Sequence, residues 1–126
     1  MFVDSHCHID FEDLASQGDA LFERMRVARV ACAVCIGVDL ASFPRIQALA
    51  DQRPNIFAPV GVHPEYPDCR EPGIEDLLAL AAHPKVIGIG ETGLDYYWHK
   101  DRPEWQRARF RTHIAAARRC GKPLIV

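Results

Sequence analysis

The amino-acid sequence predicts an α/β fold of the (β/α)8 TIM-barrel type, of which its 126 residues cover about four β/α units plus the start of strand 5. Two observations carry this. Apolar strand-like runs begin at residues 2, 30, 56, 86 and 122, and an amphipathic helical segment follows each of the first four. The runs are nearly continuous in apolar residues, as strands of a parallel sheet covered by helices must be. An open doubly wound sheet has similar units. Eight units of about 30 residues, however, fill about 240, close to the roughly 250 of a barrel. Residues 1–126 then form a single partial domain, an N-terminal half-barrel. Such a half exposes strand edges and an apolar interior, so it calls for its missing half, self-association with a second copy or a complementary half-barrel partner.

The first run, residues 2–8, is Phe2-Val3-Asp4-Ser5-His6-Cys7-His8. Residues two apart on a strand point to the same side, so Asp4, His6 and His8 project together, and two converging imidazoles make half of a metal site. The first helical segment carries Leu21, Phe22, Met25 and Ala28 at helical spacing. The second run, 30–38, contains Cys32 and Cys35. Residues three apart on a strand face opposite ways and no second cysteine pair completes a zinc site, so core packing is expected. A helix with Ser42 as its cap follows, burying Ile46, Leu49 and Ala50.

The third run, 56–63, contains Pro59, which removes a ladder donor and predicts a local irregularity, and it delivers His63 to the strand end. A helix from about Ile74 through Leu77, Leu78 and Ala81 stops at His83-Pro84. In the fourth run, 86–92, Ile87, Ile89 and Glu91 alternate onto one face, and a carboxylate closing an apolar face needs a cation or a hydrogen-bond network. The fourth helix is expected to open at Asp101 as cap, with Pro103 in its first turn and Glu104 three residues on, and to end at Gly121. Its Arg107, Arg109, Arg111, Arg118 and Arg119 read as a solvated face, since barrel helices lie outside the rim. His83, His99 and His113 read as solvated or capping residues.

Fifteen Lys and Arg against seventeen Asp and Glu give a net charge of −2, so no global positive field advertises nucleic acid and any such contact is local. Five cysteines at scattered positions do not form a secreted disulfide framework. No apolar stretch approaches the roughly 20 residues that span a bilayer. A cytoplasmic protein that does not engage a membrane is expected.

In a barrel the carboxyl ends of all strands share one rim, so Glu91 would meet His6 and His8 there. Two imidazoles and a carboxylate suit Zn²⁺ or a borderline N/O metal such as Mn²⁺. His63 sits on the same rim, as a substrate contact or a structural loop residue. The aromatic run Tyr96-Tyr97-Trp98 either stacks on bases, gates the pocket, or packs its loop onto the rim.

Taken together, Asp4-x-His6-x-His8, Val60-Gly61-Val62-His63-Pro64 and Gly90-Glu91-Thr92-Gly93-Leu94-Asp95-Tyr96-Tyr97 resemble, in order and interval, the TatD family of metal-dependent deoxyribonucleases. The resemblance runs along the whole chain. It implies an amidohydrolase-type barrel, two divalent metal ions (Zn, Mg or Mn), and 3′-to-5′ hydrolysis of phosphodiester bonds in single-stranded DNA by a metal-bound hydroxide. Carried over residue by residue, His6 and His8 resemble ligands of one metal, and Glu91 resembles the catalytic carboxylate that bridges both. Asp4 takes a catalytic supporting role by orienting an imidazole, or is a buried structural residue; His63 and Tyr96 become substrate-binding residues. The family draws two more histidines and an aspartate from later strands, so these 126 residues do not close its site alone. A catalytically incomplete half-barrel, and an amidohydrolase-like enzyme acting on amides or esters, are the rival readings.

Overall fold

The computed structural model describes residues 1–126, and its strands follow one another in space as they do in sequence. The order of elements is β1 (Phe2–Cys7), α1 (Glu12–Ala15), α2 (Asp19–Val27), β2 (Val30–Cys35), α3 (Phe43–Gln52), β3 (Ile56–Val60), α4 (Ile74–Ala81), β4 (Val86–Ile89) and α5 (Glu104–Cys120). All neighbouring strands are parallel, in the order β1-β2-β3-β4, and a parallel bridge from Ile89 to Leu124 begins the next. A doubly wound sheet reverses its order at a switch point; unbroken sequential order is the barrel pattern.

Each strand is shorter than its apolar run. The runs 2–8, 30–38, 56–63 and 86–92 stop being strand at Cys7, Cys35, Val60 and Ile89, so His8, His63 and Glu91 stand on the turns just past the strand ends. The irregularity expected at Pro59 is present. Between the pairs Ala58–Val86 and Pro59–Gly88 the register advances one residue on β3 and two on β4, leaving Ile87 bulged. Proline has no N–H to offer the ladder there. The alternation of Ile87 with Ile89 is therefore broken: Ile89 packs with Val86 in the core, whereas Ile87 is exposed.

The helices cover one side of the sheet in two clusters. Phe43, Val60, Leu77, Val86, Ile89 and Ala116 fill one, and Ile9, Ala33, Cys35, Ile46 and Ile56 the other. Cys35 is thus core, as its strand position predicts, and no cysteine is paired. Burial pushes the Cys35 thiol up to about 12 and that of Cys7 to about 11, so neither is a thiolate near neutrality. On β1 Phe2 and Val3 are 60% and 64% exposed. Large apolar side chains left in water at a sheet edge mark a surface built to be covered.

Two expected caps take another form. Ser42 stands at the N-terminus of α3, but its hydroxyl bonds the Asp39 carbonyl while the Asp39 carboxylate accepts the Ser42 N–H at 2.7 Å, so Asp39 organises the turn. The last helix is capped at Pro103 rather than Asp101, because Arg102 takes a left-handed conformation (φ 51°) that breaks the helix before it. Gly121 closes α5 at φ 70°, where only glycine is free of strain.

Candidate metal centre

His6 lies on β1 and His8 one residue beyond its end, and their rings stand edge to face with centroids 5.3 Å apart. Glu91 arrives from the turn after β4. One ligand atom from each of His6, His8 and Glu91 falls within 4.8 Å of the others. The convergence expected of these three residues is present.

Their hydrogen bonds decide which atoms are available. His8 Nδ1 lies 3.0 Å from the Ile36 carbonyl, which only accepts, so Nδ1 carries the proton and Nε2 keeps its lone pair. Metal-binding histidines are held in this manner, with one ring nitrogen tied to a carbonyl. His6 Nε2 is 3.6 Å from Glu91 Oε2. The partly buried carboxylate thus faces two imidazoles, a donor set that fits a borderline divalent cation and leaves coordination positions open.

His63 joins this group. Its Nε2 is 3.9 Å from Glu91 Oε1, while its Nδ1 accepts the Glu65 N–H at 3.1 Å. With Nδ1 accepting, a neutral ring carries its hydrogen on Nε2, the atom turned toward the site, as donation to a substrate oxygen requires. A concavity of about 330 Å³ opens here, lined by His63, Glu91, Thr92, Tyr96 and Tyr97 among others.

Asp4 does not orient an imidazole. It is exposed, and its carboxylate accepts the backbone N–H of His6 at 3.1 Å, so it shapes the strand rather than a ring. Tyr96 lines the concavity, but its ring lies under the Arg102 guanidinium at 5.0 Å.

The foundation of the site comes from α5, where three residues correct the expectation of a solvated helix. His113 is fully buried: Val62 N–H donates to its Nε2 at 3.0 Å and its Nδ1 meets the Arg109 carbonyl at 2.8 Å. Arg109 is buried too, donating to the carbonyls of His63 (2.8 Å) and Tyr66 (2.9 Å) and pairing with Glu71. Gln106 donates to the Pro64 carbonyl at 3.1 Å and accepts the Asp95 N–H at 3.1 Å, so one amide ties the loop after β3 to the loop after β4. The signal was present in the periodicity. Stepping back from the buried Ala116 and Ala117 by three or four residues lands on 113, 109 and 106, a stripe that continues inward although its residues turn polar.

Backbones set the remaining spacing. A Cβ built on Gly61 would fall 2.6 Å from the Cα of Gly90, so the chain two residues before His63 presses directly on the chain one residue before Glu91.

His113 makes stability depend on pH. Burial holds its imidazole below the ordinary value, so the folded chain refuses a proton that the unfolded chain accepts below about 6.5. The contribution is complete above that pH and is lost as pH falls toward the folded value. Urea midpoints at about pH 7.5 and about pH 5 are expected to differ less in His113→Gln than in the unsubstituted chain.

A family model described as TatD related DNase matches residues 3–126. Among curated relatives, the uncharacterized metal-dependent hydrolase YabD of Bacillus subtilis is 32% identical, covering 100% of this chain and 50% of its own. The uncharacterized metal-dependent hydrolase YcfH of Escherichia coli K12 is 34% identical, covering 98% and 48%. The uncharacterized metal-dependent hydrolase TatD of Mycobacterium tuberculosis is 35% identical, covering 98% and 50%. The crystal structure of the TatD homologue YjjV from Escherichia coli superposes with a TM-score of 0.88 at 27% identity, over 98% of this chain and 49% of that one. The chain spans about half the length of the curated relatives it matches.

Proposed function

Because this chain belongs to the TatD related DNase family, we propose that it is the metal-binding half of a hydrolase that trims single-stranded DNA from its 3′ end. The observation that carries the proposal is the meeting of His6, His8 and Glu91, from the first and fourth strands of the sheet, within 4.8 Å of one another beside His63.

Divalent cations in a site of this kind polarise phosphoryl oxygens and lower the pKa of water. The residues of this chain do the rest. His6 and His8 offer neutral imidazole nitrogens, and Glu91 offers the carboxylate that two cations can share. His63 directs its Nε2 hydrogen at the phosphate, held by the Glu65 N–H on the opposite nitrogen. The exposed Phe2 and Val3 mark the sheet edge that the family's later strands, with their remaining ligands, would cover. A cytoplasmic location fits five unpaired thiols, and no helix is long and apolar enough to cross a membrane.

Turnover of end-labelled single-stranded DNA with Zn²⁺, Mn²⁺ or Mg²⁺, run beside simple amide and ester substrates, tests the reading together with metal stoichiometry. Stepwise shortening from the 3′ end that stops on chelation is expected. Fewer than two bound ions and no DNA turnover would favour the second reading, an incomplete half that acts only after association; faster cleavage of amides or esters would replace the bond.

A further inference from the structure

We propose that Tyr97 and Trp98 form a stacking platform for an unpaired nucleobase at the edge of the metal centre; the proposal rests on the nucleic-acid reading above and names the part of the substrate held there. The two rings are 71% and 68% exposed and meet edge to face, with centroids 4.7 Å apart. Tyr97 lines the concavity that also contains Glu91 and His63. A base resting on it belongs to a nucleotide whose phosphate lies within reach of the cation ligands.

The turn that presents them is built rather than loose. Asp95 Oδ1 accepts both the Tyr97 N–H at 2.9 Å and the Trp98 N–H at 3.0 Å. Asp95 is in turn fixed by the buried amide of Gln106, which accepts its N–H. A main chain locked at three points holds two aromatic faces in water with little ordering left to be done on binding. The ring of neighbouring Tyr96 is already covered by the Arg102 guanidinium. The platform is therefore the following two residues, in place of the tyrosine that the sequence pattern singles out.

Charge points to the occupant. Lys100 and Arg102 are exposed in the same turn, with the exposed Asp101 between them, so two cations against one carboxylate stand beside flat faces for bases, and cations beside aromatic faces are the combination that grips single strands without reading their sequence.

Fluorescence anisotropy with the full chain in EDTA, using a labelled short oligothymidylate and an abasic oligomer of equal length, tests the platform without hydrolysis. Binding to oligothymidylate is expected to be at least about tenfold tighter than to the abasic strand. Tyr97→Ala and Trp98→Ala are each expected to weaken it roughly tenfold and to leave abasic binding unchanged, while Tyr97→Phe keeps it. Equal affinity for the two oligomers, binding of neither, or alanine variants that bind as the parent does would overturn the platform. Base-dependent binding without turnover in any metal would keep the platform and favour the incomplete half-barrel over an enzyme active by itself, and turnover with base-independent binding would sink the platform alone.

Discussion

Glu91→Gln is expected to lower affinity for Zn²⁺ by more than about a hundredfold, since even outer-shell partners of metal sites contribute about 10–100-fold. The amide keeps the shape of the carboxylate and removes its charge. The imidazoles do not depend on Glu91 for their placement: His8 is tied to the Ile36 carbonyl and His6 is fixed by β1. What disappears is the anion among two neutral donors. Glu91 meets His6 and His63 only at 3.6 and 3.9 Å, so stability is expected to change by less than about 1 kcal/mol. Calorimetric titration with Zn²⁺ beside a denaturant curve separates the two effects. Parent-like affinity in the variant would show that the three residues do not act as one centre.

Arg109→Met has the opposite signature, a loss of about 3 kcal/mol in stability with His6, His8 and Glu91 left in place. The guanidinium is buried and serves three acceptors, the carbonyls of His63 and Tyr66 and the carboxylate of Glu71. Methionine fills the volume but leaves the Tyr66 carbonyl without a donor, costing about 1–3 kcal/mol, and the His63 carbonyl with only the Tyr66 N–H at 3.4 Å. Glu71 is half exposed and regains water, which places the total near the low end of the range for broken buried pairs. The urea midpoint measures the loss. A shift below about 1 kcal/mol would mean that solvent readily replaces the guanidinium.

The sequence carried the repeat well, because apolar runs and helical spacing are local properties. It carried the convergence of His6, His8 and Glu91 too, because they belong to strand ends and a parallel barrel brings all such ends to one rim. Polar residues buried on an outer helix were not legible. Arg109 and His113 look like solvated residues until the loops after β3 and β4 are seen to lean on α5, a tertiary contact that no window of sequence contains. Asp4 failed for a related reason. Alternation placed it beside the histidines, but a carboxylate two residues before an N–H can close on that N–H, and here it does. The bulge at Ile87 was foreshadowed only by the proline on the neighbouring strand.

The near-contact of Gly61 with Gly90 means that the distance between the main chains that carry His63 and Glu91 is gauged by atomic radii of the polypeptide itself. No methyl can be inserted between them without pushing the two segments apart. Evolution can retune the chemistry of this pocket by exchanging the groups that hang into it, but its calibre is inherited with the fold.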